Sequence, residues 1–462
     1  MSEKTKAELL EEQLFSKNEN AWKNADEKAV QDFCEPYKKF LDAAKTEREA
    51  VKYIIEEAEK NGYTPLDVKK SYKTGDKVYI NNRGKAIALI KFGNLDVSNG
   101  LRITAAHLDS PRLDLKPNPL YEEEELCYLK THYYGGIRKY QWPSIPLALH
   151  GVVIKKDGQT VDVIVGEDDS DPCFAVNDLL PHLAAEQSKK PLAEAFTGES
   201  LNILVGSMPF KDDKASQAVK LNIMNILFEK YGLIESDFLS AELCAVPAFK
   251  ARDIGFDRSL IGAYGQDDRI CAYTAFRALF DSDVCEHTAL TLLVDKEEIG
   301  SEGSTGLASD FLRNICADLG VMFGVNGWSF LEKSKCMSAD VSSGFDPNYA
   351  SVYEKRNCAI VGHGTVMMKY TGARGKYDTN DAPAEYMAFI RNLLDGADIS
   401  WQTGELGAVD VGGGGTVAKF IANLMTDTVD VGVPVLAMHS PFEVTSKVDT
   451  YMTYRAFCEF IK

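Results

Sequence analysis

The chain has 462 residues, 45% apolar and 26% charged, with 51 Lys+Arg against 69 Asp+Glu and a net charge of −18. At ~100–200 residues per domain, this length predicts two or three domains or one large one, with a core that needs no disulfide staples. The acidic balance excludes a basic nucleic-acid-binding face and docking on an anionic membrane, and the apolar fraction excludes wholesale disorder.

The first residues, MSEKTKAELLEEQ, carry acids where a signal peptide would be apolar, and no run approaches the ~20 apolar residues of a membrane span. Ten cysteines are scattered without a CxxC pair. We read them as reduced thiols of a cytoplasmic protein, and we expect no cysteine-type zinc site. Residues 1–62 read as helical. Thr46 with Glu49 fits a capping box, Val51, Ile54, Ile55 and Ala58 follow at helical spacing, and Gly62 marks a stop. Residues 78–80 and 86–92 flank Asn82-Arg83-Gly84 as a hairpin would. An apolar run at 101–106 ends abruptly at His107.

Between about 113 and 249 the texture changes. Prolines stand at 117, 119, 143 and 146, with an acidic run from Glu122 to Glu125 and many aromatics. Two strand-like runs (147–154 and 161–165), a helix-like stretch near 176–188 and a polar loop at 209–218 follow. We expect an inserted domain here. From 250 onward, strand-like runs at 289–294, 336–339 and 433–438 alternate with helix-like stretches near 306–319 and 382–394. This predicts an α/β domain with a buried sheet, formed by 1–112 and 250–462 around an insert at 113–249.

Five polar clusters lie at the ends of these apolar runs or in turns beside them: His107-Leu108-Asp109, Gln266-Asp267-Asp268, Asp295 to Glu298, Ser338-Ala339-Asp340 and Met438-His439-Ser440. Ligand sites of α/β sheets gather at the carboxyl ends of strands. Two imidazoles and several carboxylates suit a divalent cation. His107, Asp267, Glu298, Asp340 and His439 make five donors, enough for a metal pair with one bridging carboxylate. Asp109 is then placed to orient the His107 ring. Glu297 is placed to act as general base on a water made acidic by the metal. Each motif alone is weak. Paired glutamates usually form a solvated face, and a lone histidine is usually a core residue. Their joint order carries the reading.

That order belongs to a family. The stretches TAAHLDSPRLDLKP, GQDDRICAYTAF, LLVDKEEIGSEGSTG, CMSADVSSGFDPNY and VPVLAMHSPFE, spanning about 100–445, resemble the M18 metallo-aminopeptidases, the aspartyl aminopeptidase and aminopeptidase I group. The resemblance implies a zinc-exopeptidase-like catalytic domain, a central mixed sheet flanked by helices, interrupted by a β-rich dimerisation domain. It implies His107 and Asp340 on one metal, Glu298 and His439 on the other, Asp267 bridging, Glu297 as base and Asp109 beside His107. It also implies release of single residues from the amino termini of peptide substrates. Two divalent ions per subunit are expected, zinc first, with cobalt or manganese accepted by the same donors. A tetrahedral dodecamer built from dimers is expected, with no nucleic-acid or membrane partner.

Lys369 and Tyr377, in MMKYTGARGKYDTN, resemble the family's substrate-contacting lysine and tyrosine, one residue further apart. Ser343 and Asp346 stand where acid-preferring members carry histidines, so a neutral or basic first residue is expected. His182 lies near where the family sends a histidine into a neighbouring subunit, and we expect it to be structural instead. The run VGGGGT at 411–416 lacks a following Gly-Lys-Ser/Thr, so it reads as close backbone approach rather than a phosphate loop. Two alternatives are another co-catalytic zinc hydrolase (an M42-type aminopeptidase or a deacylase) and a non-catalytic scaffold. The AHLDSP and SADVSSGFDPNY elements disfavour the former, and the complete donor set disfavours the latter.

Overall fold

Four parallel neighbours, Ala289–Val294, Arg102–His107, Lys335–Ser338 and Asp427–Gly432, form the middle of a nine-stranded sheet. The structure is a computed structural model and describes residues 4–16 and 18–462. On one flank the hairpin Lys77–Asn82/Ala86–Lys91 adds antiparallel, with Thr64–Pro65 at the edge. Arg83 and Gly84 take positive φ in its turn, as a tight hairpin requires. On the other flank lie Thr365–Met368 and Trp401–Thr403.

The sheet is covered on both faces, so its central strands are apolar throughout rather than alternating. Side chains still divide by parity. Ile87 and Leu89 pack with the helices Glu27–Ala43, Glu47–Lys60, Gln266–Asp281, Ala384–Gly396 and Lys447–Ile461. Ala88 and Ile90 pack the other way, with Phe311–Phe323 and Ala418–Ala422. The capping box at Thr46 and Glu49 is present, and Gly62 follows the helix end at φ 83°.

A seven-stranded sheet follows the order Thr160–Val165, Leu147–Ile154, Ala241–Pro247, Arg112–Glu123, Leu126–Tyr134, Ile203–Gly206, Ala175–Val176. Every adjacent pair is antiparallel. It has its own apolar core around Leu113, Trp142, Ile203 and Val246. The chain makes all of it between Arg102–His107 and Ala289–Val294, which are neighbours in the first sheet. His150 fastens it to the helix Glu47–Lys60, with Nδ1 2.7 Å from Glu49 Oε1 and Nε2 3.1 Å from Glu167 Oε1. A third sheet of five short strands includes Leu260–Ala263, Pro434–Leu436 and Glu443–Ser446. The strand expected at 433–438 therefore lies here, outside the central sheet.

The stretch near 176–188 is not a helix. After Ala175–Val176 it makes two short 3-10 turns, Pro181–Leu183 and Gln187–Lys189. Leu179, Leu180 and Leu183 are exposed there, so no apolar face is buried to hold a helix together. An unexpected helix, Ala218–Tyr231, ends at Gly232 in the left-handed region. Its apolar residues are spread around the axis, which hides it from a periodicity reading.

Candidate metal centre

The parallel strands point their carboxyl ends at one place. Arg102–His107 delivers His107 and, just beyond it, Asp109. Ala289–Val294 runs into the turn carrying Glu297 and Glu298. Lys335–Ser338 ends two residues before Asp340. Asp267 comes from the first turn of Gln266–Asp281, and His439 from the connection between Pro434–Leu436 and Glu443–Ser446.

These side chains converge. Asp267 lies between two imidazoles, with Oδ1 3.2 Å from His107 Nε2 and Oδ2 3.1 Å from His439 Nε2. Glu298 Oε1 is 3.5 Å from His439 Nε2. Glu297 Oε2 and Asp340 Oδ1 are each 3.9 Å from His107 Nε2. His107 Nδ1 is 3.0 Å from the Asp109 carbonyl oxygen, and His439 Nδ1 is 2.9 Å from that of Gly136. A carbonyl can only accept, so both rings carry hydrogen on Nδ1 and turn Nε2 toward the carboxylates. Asp109 is wholly buried, and its carboxylate accepts the backbone N–H of Glu297 and of Glu298.

So many acids out of water need positive charge. Burial drives Glu298, Asp340 and Asp268 well above the ordinary carboxylate range and pushes Glu297 up to about 7. Against the effect of burial, hydrogen bonds from both histidines hold Asp267 below that range. Burial would lower the histidines, but Asp267 and its neighbours outweigh it. His439 rises to about 10, and His107 well above its usual value. Glu298 Oε1 and Asp268 Oδ1 are buried without a hydrogen-bond partner. Two sets of donors come close enough to share a cation: His107 with Asp267 and Glu298, and His107 with Asp268 and Asp340. Donor types, crowding and unpaired oxygens all fit a divalent cation.

A cavity of about 310 Å³ opens on this cluster. Asp267, Glu297, Glu298, Asp340 and His439 line it together with the apolar Val341, Met368, Leu406 and Met438, and with Thr371 and Gly413 to Gly415. The glycine run makes the expected close approach: a Cβ on Gly413 would fall 2.2 Å from the Gly372 carbonyl oxygen.

The seven residues placed at the metal pair by sequence thus come together. Lys369 and Tyr377 do not join them. Lys369 pairs with Asp381, and Tyr377 is 70% exposed; neither lines the cavity. Ser343 meets the Tyr353 hydroxyl and Asp346 caps Asn348, both off the cavity wall. His182 is exposed on its turn and is no core residue. Sequence reasoning left two residues without a role. Asp268, in the same cluster as Asp267, accepts the His107 backbone N–H at 3.4 Å. Glu443, four residues after His439, accepts the backbone N–H of His439 at 2.7 Å and of Asp267 at 3.1 Å.

Parallel strands ending in a buried cluster of imidazoles and carboxylates, on a mixed sheet covered by helices, define a metal-dependent hydrolase of the zinc-exopeptidase fold. Residues 40–461 match the family model described as aminopeptidase I zinc metalloprotease (M18), and the chain belongs to the M18 family of aminopeptidases. It is 50% identical over 459 residues to a probable M18 family aminopeptidase 1 of Clostridium acetobutylicum, covering 97% of this chain and 99% of that one. The crystal structure of the Thermotoga maritima M18 aminopeptidase superposes with a TM-score of 0.93 at 44% identity, covering 97% and 99% of the two chains. The mApe1 dodecamer of S. cerevisiae, 20% identical with a TM-score of 0.73 over 94% of this chain and 96% of that one, shares the fold.

Proposed function

We propose that the chain is a two-metal aminopeptidase that releases single residues from peptide amino termini, with Glu297 as general base. The observation carrying this reading is Asp267, which offers one carboxylate oxygen to each of two imidazoles, as a carboxylate bridging two cations would. His107 and Asp340 would hold one ion, Glu298 and His439 the other, with Asp267 shared. The mix of imidazole and carboxylate suits zinc, and accepts cobalt or manganese. When bound, the ions supply Lewis-acid polarisation of the scissile carbonyl and make a water more acidic.

The remaining steps fall to the chain. Asp109 holds Glu297 by its backbone N–H, and the Glu297 carboxyl stands on the cavity wall. Burial raises its pKa above the ordinary carboxylate range, which makes it a better proton acceptor than an exposed glutamate. Glu297 takes a proton from the attacking water and delivers it to the departing peptide nitrogen as the C–N bond breaks. The apolar wall of Val341, Met368, Leu406 and Met438 receives the side chain of the first residue.

We read the enzyme as cytoplasmic, on its cysteine usage, and as a homo-oligomer, a tetrahedral dodecamer built from dimers. The insert at 113–249 would form the dimer contact. The separate core of the seven-stranded sheet supports that division, and the exposed Leu179, Leu180, Leu183 and Leu192 give it apolar surface for a second copy. The functional test strips the enzyme with a chelator and titrates zinc back. Activity on aminoacyl amides should return at two equivalents, with none on N-acyl amino acids. Full activity at one equivalent would remove the two-metal reading, and N-acyl cleavage would favour a deacylase.

A further inference from the structure

The strand Leu126–Tyr134 belongs to the seven-stranded sheet, yet the three residues at its end touch the metal centre. The Tyr134 hydroxyl donates to Asp109 Oδ2 at 2.8 Å. Gly135, at φ 72°, lies against Glu298: a Cβ there would fall 3.3 Å from both Glu298 Cβ and Oε2. The Gly136 carbonyl accepts His439 Nδ1–H at 2.9 Å, and a Cβ on Gly136 would stand 3.2 Å from that nitrogen.

Each contact controls something different. Asp109 Oδ2 also accepts the Glu298 N–H, so Tyr134 supplies a second donor that fixes the carboxylate plane. The Arg112 guanidinium, 4.2 Å from the Tyr134 ring centroid, holds the phenol in place. Gly136 sets the tautomer and rotation of His439 and thereby aims Nε2 at Asp267. Gly135 and Gly136 leave the room that a side chain would take from Glu298 and His439.

We propose that Tyr134, Gly135 and Gly136 are positioning residues of the metal centre, contributed by the seven-stranded sheet rather than by the catalytic sheet. The proposal rests on the reading of Glu298 and His439 as metal ligands. Outer partners of metal-bound histidines and carboxylates are worth ~10–100-fold in metal affinity. The phenol and the small residues should therefore register in metal binding itself, not only in turnover.

The test uses the full-length protein, with zinc affinity measured by competition with a chromogenic chelator and folding checked by circular dichroism. Tyr134→Phe and Gly136→Ala should each weaken at least one zinc equivalent ~10–100-fold while the fold is kept. Gly136→Ala carries the test if Tyr134→Phe fails to fold. His439→Ala is the control for the ligand reading and should lose one equivalent. If it keeps both, the ligand reading falls and this proposal with it. If it loses one while Tyr134→Phe and Gly136→Ala bind zinc as the parent does, the positioning role is overturned and the ligands stand.

Discussion

The backbone N–H of Glu297 donates to Asp109 Oδ1 at 3.1 Å, and the neighbouring N–H of Glu298 donates to Oδ2 at 3.2 Å. The reach of Asp109 thus extends beyond His107, whose Nδ1 lies 3.0 Å from its carbonyl oxygen. One buried carboxylate ties the end of the strand Arg102–His107 to the turn after Ala289–Val294, and so fixes Glu297 and Glu298 relative to His107.

Asp109→Asn tests this. The amide keeps one accepting oxygen and turns an NH₂ donor toward a backbone N–H, leaving a buried donor unpaired. Zinc affinity should fall ~10–100-fold, with kcat/KM following. The check is chelator competition beside steady-state kinetics. Unchanged zinc affinity would reduce Asp109 to a packing residue.

Glu297→Gln separates binding from chemistry. Glutamine matches the shape of the side chain but cannot take a proton. Zinc stoichiometry should stay at the parent value while kcat falls ~10²–10⁴-fold, the usual worth of a general base. Near-parental turnover at full zinc loading would transfer the proton-carrying role to another group.

Much of this centre was legible because metal chemistry demands particular residue types, and those types follow strand-like runs that a periodicity reading finds. His107, Asp340 and Glu298 stand at or just beyond such runs. What sequence could not supply was contact across distant segments. Gly136 is one glycine among 35, and only folding brings its carbonyl to His439, 303 residues away. Glu443 acts on backbone N–H groups, which leave no trace in residue spacing. Residue spacing also does not show that Lys369 pairs with Asp381 and that Tyr377 stands exposed, off the cavity wall. The same limit applied to the helix Ala218–Tyr231, whose apolar residues show no single face.

The cavity wall predicts the preferred first residue. Val341, Met368, Leu406 and Met438 offer no partner for a carboxylate, and Glu297 and Asp340 share the same cavity. An acidic side chain would be desolvated beside them. The grounds for a neutral preference thus lie in this wall, since Asp346 is turned onto Asn348. Leucyl and methionyl substrates should exceed aspartyl ones in kcat/KM by ~100-fold or more, the scale of burying an unpaired charge at a few kcal/mol. A panel of aminoacyl amides at fixed zinc decides it, and an aspartyl preference would mean that the side chain sits elsewhere.

His150 makes the seating of the seven-stranded sheet depend on pH. The ring is buried between Glu49 and Glu167, and Lys45 and Lys250 also reach Glu167. Burial would lower the His150 pKa, but the two carboxylates outweigh it and raise the value. The folded state then holds a proton that the unfolded chain, with an ordinary histidine near ~6.5, gives up. The stabilisation is complete below that pH and is lost as pH rises through the raised folded value, because the folded state binds more protons across that window. In His150→Gln this dependence should vanish. Urea unfolding at pH 6 and pH 9, with zinc buffered, measures it: the difference in stability between parent and variant should be larger at pH 6. An equal difference at both pH values would mean that His150 is not charged in the fold.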